Sequence, residues 1–255
     1  MDVLEPSLVG FTLMFFCVYL LGYFIFFNNW NGKRSDASSC LMSLAHGTPA
    51  VILAITSMLH QGQGSGNLPF FQHQMDLFSS PNTPSQEMVL DFSIAYFLMD
   101  SLHYIIFYPH DALFIAHHMA TLYVFSTCRF AVRHGATALL GLLVLAEITS
   151  PCQNTWSLAR YRKVDLPFLS PIFYGFYSVV RGVVGPWFVC KMGRALLGGA
   201  AQGVIPKGIW VSWMVVIVSA IMVSILWVLN LWVELYRETK RKDFKKLFFE
   251  RKKNR

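Results

Sequence analysis

Gly208-Ile-Trp-Val-Ser-Trp-Met-Val-Val-Ile-Val-Ser-Ala-Ile-Met-Val-Ser-Ile-Leu-Trp-Val-Leu-Asn-Leu-Trp-Val-Glu234-Leu-Tyr236 is a run of 29 residues in which Glu234 carries the only charge. An α-helix needs about 20 mostly apolar residues to cross the hydrocarbon layer of a bilayer, so this run is a transmembrane span. Working back along the chain, similar segments occur at Ser7 to Phe27, Leu41 to Leu59, Met88 to Phe107, Ala112 to Phe130, His134 to Leu158 and Phe168 to Met192. With 55% hydrophobic and 14% charged residues in 255, the chain has more apolar surface than one soluble domain can bury. The expected fold is all-α, a polytopic membrane bundle of about seven transmembrane helices.

The first span is longer than a signal-peptide core and follows Asp2 and Glu5 where a signal peptide is basic, so it is expected to remain as a helix. The net charge of +7 is not spread over a face: ten of the 21 Lys and Arg fall between Arg237 and Arg255. That concentration describes a tail beside a membrane and excludes a nucleic-acid surface. Seven crossings put the termini on opposite sides. Lys33, Arg34, Arg160, Arg162 and Lys163 then join the tail on one side, against Arg129, Arg133, Lys191, Arg194 and Lys207 on the other. The positive-inside rule makes the tail side cytosolic.

The five cysteines are odd in number and lack CxxC spacing, so neither a disulfide framework nor a metal site is indicated. The one long connection, His60 to Gln86, is rich in Gly, Gln, Ser and Pro and free of Lys and Arg. It reads as a variable loop or as a lid, with Leu68-Pro69-Phe70-Phe71 able to dip into the interface. In the tail, Leu235, Phe244, Leu247, Phe248 and Phe249 alternate with Lys clusters. That pattern is expected of an interfacial helix on anionic lipids. Lys252 and Lys253 have the form of a dilysine endoplasmic-reticulum retrieval signal.

An ionisable side chain at mid-bilayer costs roughly 2.5 to 3.5 kcal/mol on insertion scales, so it is expected to face a protein interior with a partner. The third to fifth spans hold most such residues: Asp91, Tyr96, Asp100, His103 and Tyr104, then His110, Asp111, His117 and His118, then Glu147, Ser150 and Asn154. Asp100 and His103 share a helix face at i, i+3, and Glu147, Ser150, Pro151 and Asn154 form a stripe. Pro151 lacks an N–H and so frees a carbonyl near Glu147. Adjacent side chains diverge by about 100° on a helix, so His117 and His118 face different ways. Neutral imidazole can act as base or nucleophile toward an acyl group, with Asp100 or Glu147 fixing its tautomer. The alternative is that the histidines only bridge helices. Arg181, in the sixth span near Tyr174 and Tyr177, is expected to pair with Glu147 or Asp100, or else to bind a lipid phosphate.

Three elements resemble the TLC-domain family of membrane proteins. Asp91-Phe-Ser-Ile-Ala-Tyr96-Phe-Leu-Met-Asp100 looks like the family's aromatic and Asp helix, and His117-His118-Met-Ala-Thr121 like its His-His-x-x-Thr element. Glu147-Ile-Thr-Ser-Pro151-Cys-Gln-Asn154 looks like the Glu, Pro and Asn segment of branches other than the ceramide synthases. The resemblance implies a six-helix bundle around a lipid-accessible cavity in an endomembrane such as the endoplasmic reticulum. The expected division is an extra helix and basic loop over 1–40, the TLC-like domain over 41–236 and a cytosolic tail over 237–255. In the synthases the paired histidines are associated with acyl transfer from acyl-CoA to a sphingoid base, a role that would fall on His117 and His118. The synthases' later His-Asp-x-x-Asp element is replaced here by Leu143-Val-Leu-Ala-Glu147.

These readings lead to a protein of lipid homeostasis that binds an acyl lipid in an intramembrane cavity. Tyr96, Asp100, His103, Glu147, Asn154 and Arg181 would support His117 and His118. The alternatives are an acyl-CoA-dependent N-acyltransferase and a cargo-binding or translocation accessory protein. No cofactor is expected, acyl-CoA being a co-substrate only of the enzyme reading, and the sequence is silent on homo-oligomers.

Overall fold

The computed structural model describes residues 6–63, 77–164, 166 and 168–253, together with their side chains except at 6, 62, 63, 238 and 241–253. The proposed interfacial stretch Leu68 to Phe71 lies outside the described residues. Among the described residues all regular structure is helical, apart from an isolated bridge between Pro81 and His134. The helices are α1 (Pro6–Leu21), α2 (Arg34–Gln63), α3 (Pro84–Phe107), α4 (Ala112–Ser126), α5 (Ala136–Glu147), α6 (Ser150–Tyr161), α7 (Leu169–Val179), α8 (Gly185–Ala195) and α9 (Lys207–Lys253). Wide π-turns at Gly22–Phe26, Thr127–Val132, Val180–Val184 and Leu196–Ala200 extend or join them.

Six continuous helical segments among the described residues are long and apolar enough to cross a membrane: Ser7–Phe26, Arg34–Gln61, Pro84–Phe107, Ala136–Tyr161, Leu169–Ala200 and Lys207–Arg237. The sequence reading has one more, Ala112 to Phe130. That segment is helical, but His117, His118 and Arg129 dilute its apolar character. Its course makes it a crossing nonetheless. Asn82 N–H donates to the Arg133 carbonyl and Gly135 N–H to the Ser80 carbonyl, so the end of this segment returns to the start of α3. A helix that leaves from one end of α3 and comes back to the other traverses the same thickness. The chain is a multi-pass membrane protein.

The crossings alternate between two faces. At the face from which the C-terminal part of α9 emerges, the Arg162 guanidinium sits over the Trp30 ring and the Lys33 amine over Tyr161. Tyr108, just past α3, donates its hydroxyl to Asp36, and partial withdrawal from water, with the carboxylate beside it, pushes the pKa of that hydroxyl up to about 12. This is the tail face. At the far face, Gln61 bonds Ser80, Gln86 and Thr137. There Gly135 takes a left-handed conformation (φ 90°) to start α5, with Trp213 where a Cβ would crowd.

Several boundaries shift. α2 starts at Arg34, not Leu41, because Asp36, Ser38 and Ser39 are buried against neighbouring helices; the expected boundary at 40 falls inside it. The fifth span breaks after Glu147, and α6 begins at Ser150 with Pro151 in its first turn. α9 is one helix of 47 residues, about 70 Å at 1.5 Å per residue, so the basic tail continues the last span without a break.

Packing separates protein-facing from lipid-facing positions. Phe15, Met42, Leu90, Leu139, Leu140 and Trp213 are fully buried between helices. Val215, Met222, Leu226 and Leu229 of α9 are more than half exposed, the apolar outer face that a bilayer covers.

Candidate functional site

A cavity of about 740 Å³ runs into the bundle between α2, α3, α4, α5, α6, the α7–α8 segment and α9. Because the crossings alternate, its lining can be ordered by depth. Lys33, Asp36, Asp111, Arg160 and Glu234 line the mouth at the tail face. Val124, Phe125, Leu139, Leu142, Leu143, Val216 and Ile217 line an apolar end toward the far face. Between them lies a polar belt that includes Asp100, His117, His118, Glu147, Ser150, Arg181 and Ser224.

Asp100 and His118 form the closer of two carboxylate–imidazole pairs among the described residues. His118 Nε2 is 3.0 Å from Asp100 Oδ2, and Asp100 Oδ1 accepts from the Ser39 hydroxyl at 2.8 Å. The other ring nitrogen, Nδ1, is 3.2 Å from the Phe114 carbonyl one turn earlier. A neutral imidazole donates through one nitrogen and an imidazolium through two, so the proton inventory of this pair decides which acceptor His118 serves. His117 diverges as helix geometry requires. Its ring meets Trp227 edge-on with centroids 5.2 Å apart, and its buried Nδ1 has no partner among the described residues.

Glu147 ends α5, where the chain breaks before Pro151. Its Oε2 is 3.7 Å from His46 Nδ1, too far for a hydrogen bond, and neither atom has another partner among the described residues. His46 is fully buried, lies flat on the Tyr96 ring with centroids 4.0 Å apart, and its Nε2 is 3.2 Å from the Ser93 hydroxyl. The sequence reading passed over His46. The signal was present: Ser39, Ser43, His46 and Ala50 recur at i, i+4, i+7, i+11, one face of α2. Asn154 donates to Ser43 Oγ at 2.8 Å and so ties α6 to that face.

Arg181 lies in the Val180–Val184 turn and does not reach either carboxylate expected to pair with it. Its Nη2 donates to the Ala146 carbonyl at 2.5 Å and its Nη1 to Ser224 Oγ at 3.2 Å. Its guanidinium carbon is 5.3 Å from the Tyr177 ring centre. The carbonyl freed at the helix break thus serves a cation on a neighbouring span.

His103 is not part of this group. Its Nδ1 is 3.1 Å from the Tyr19 hydroxyl, so it faces α1 while Asp100 faces α2 and α4; three residues of helix still leave about 60° between them. His110 belongs to the turn before α4, where Asp111 caps the helix by accepting from Phe114 N–H at 3.3 Å. Nothing is described of the Lys252 and Lys253 side chains.

A second polar cluster was hidden in the sequence because Arg129, at the end of the fourth span, was counted only among the charges of the far side. It is buried, with Nε 2.8 Å and Nη2 3.2 Å from the two Asp91 oxygens and Nη1 3.2 Å from Glu87. Ser7 donates to Asp91 at 2.8 Å, which fastens α1 to α3. Glu87 and Asp91, one turn apart on α3, were the readable half of it.

A family model described as the TLC domain matches residues 36–233, starting near the observed start of α2. A TLC domain-containing protein of Arabidopsis thaliana is 52% identical over 249 residues, which cover 94% of this chain and 93% of the relative. No solved structure matches significantly.

Proposed function

This chain belongs to the TLC-domain family, and we propose that it binds an acyl lipid in its intramembrane cavity and serves lipid homeostasis in the endoplasmic-reticulum membrane, its C-terminus in the cytosol. The observation that carries this reading is the layering of the cavity. An apolar end suits a hydrocarbon chain, the polar belt suits the oxygens at the head of that chain, and the charged mouth leads to an aqueous face. The volume lies within the roughly 300 to 1,000 Å³ usual for small-ligand sites. The basic tail adds attraction to an anionic leaflet. Purification followed by mass spectrometry of extracted lipid tests the reading: one acyl lipid class enriched over the surrounding membrane supports it, and recovery of bulk lipid alone refutes it.

The Asp100–His118 pair beside His117 favours a second reading, acyl transfer from acyl-CoA to an amine. The amine nitrogen would form the new C–N bond, the thioester C–S bond would break, and the amine proton would pass through an imidazole to the departing thiolate. Loss of acyl transfer in His117→Ala or His118→Ala, set against activity in the wild type, distinguishes it from binding alone.

A further inference from the structure

Resting on the acyl-lipid reading, we propose that Arg181 is the receptor for a carboxylate, so that the cavity takes its acyl ligand as the ionised free acid with the head at mid-membrane and the chain toward the far face.

Arg181 has no carboxylate in contact among the described residues. A guanidinium carries five N–H donors, and Arg181 commits one to the Ala146 carbonyl and one to Ser224. Both acceptors are neutral, and Nε is buried without any. A half-buried cation at mid-membrane answered only by neutral groups is costly, and the ordinary remedy is a carboxylate in contact. The two carboxylates of the belt are turned elsewhere. Asp100 holds Ser39 and His118. Glu147 points its Oε2 at α2, 3.7 Å from His46 and 3.2 Å from where a Cβ on Gly47 would stand. Glu147 therefore acts on Arg181 through space and not by contact.

Position selects the anion. Arg181 follows the start of α7 by 12 residues, about 18 Å of helix from the tail face, with Leu142, Leu143, Val216 and Ile217 continuing the cavity beyond it. A singly charged carboxylate at the end of an alkyl chain reaches this depth with its chain in the apolar end. A phosphate headgroup would carry more charge and more hydration to the same place. The carbonyl, the hydroxyl and the Tyr177 ring hold the guanidinium in one orientation before any ligand arrives, which lowers the ordering cost of binding.

The test uses the full-length protein in nonionic detergent at pH 8.5, with palmitate, hexadecanol and palmitoyl lysophosphatidate as probes and the wild type, Arg181→Gln and Arg181→Lys as proteins. The wild type should hold palmitate on the order of tenfold or more tighter than hexadecanol. Arg181→Gln should bring the two to near equality while hexadecanol affinity is unchanged, and Arg181→Lys should keep part of the preference. Should the Gln variant fail to fold, the wild-type comparison and the Lys variant still decide. Equal affinity for acid and alcohol in the wild type, or a preference that survives Arg181→Gln, overturns the proposal while leaving acyl binding in place. Preference for lysophosphatidate that depends on Arg181 overturns the carboxylate assignment. If none of the three probes binds the wild type, the acyl-lipid reading itself fails.

Discussion

His118 Nε2 and Asp100 Oδ2 lie 3.0 Å apart on helices that run in opposite directions, both side chains nearly closed off from the surface. Removing one member of a buried pair leaves the other charge or dipole uncompensated, which costs about 3 to 5 kcal/mol. Asp100→Ala and His118→Ala are each expected to lower the unfolding temperature in detergent. The double variant should be less unstable than the sum, with a coupling of about 0.5 to 3 kcal/mol. Additive effects would mean the contact contributes nothing.

Arg129 is expected to be a stability residue and not a ligand residue. Arg129→Met strands Asp91 and Glu87, two carboxylates that it holds at 2.8 and 3.2 Å, at a cost of about 3 to 5 kcal/mol. Ser7→Ala removes one hydrogen bond to a carboxylate of the same cluster and should cost about 1.5 to 3 kcal/mol. Thermal unfolding of both variants checks the ranking, and lipid recovered from the milder one should match the wild type.

Much of this was legible in the sequence, and the illegible parts have physical reasons. Apolar runs gave the spans because a helix in lipid must be continuous and apolar over its length. The His117-bearing crossing was read as an apolar run like the others, although its polar residues keep it out of the six most apolar segments. The π-turns were not readable: residues such as Thr127–Val132 and Val180–Val184 have ordinary helix-forming composition, and only packing widens the turn. Asp100, His117, His118 and Glu147 could be named because each is expensive in a span. Their partners could not, since Ser39, Ser43 and Ser93 are inconspicuous polar residues and His46 sits alone in an apolar stretch. Arg181 was noticed for its charge, but its bond to the Ala146 carbonyl depends on a helix break whose direction no sequence pattern gives.

The alternation of crossings predicts the position of the ends. Epitope tags at the two termini should lie on opposite sides, with protease added to sealed microsomes removing the C-terminal tag and sparing the N-terminal one. Protection of the C-terminal tag would invert the orientation. On the proposed endoplasmic-reticulum residence, fluorescence imaging should find the wild type in a reticular pattern, and replacement of Lys252 and Lys253 by Ser should let part of the protein leave it. An unchanged reticular pattern would remove the dilysine signal from the explanation of residence.

The most direct measurement is the lipid that copurifies with the wild type and with His117→Ala, quantified by mass spectrometry alongside the unfolding temperature of each. His117 lines the polar belt, and its Nδ1 bridges no helices among the described residues. Its loss should therefore leave the unfolding temperature close to that of the wild type, while the bound acyl lipid falls in amount or changes in kind. A wild type carrying only bulk membrane lipid, or a His117→Ala protein that is less stable with its bound lipid unaltered, would contradict a ligand-binding cavity.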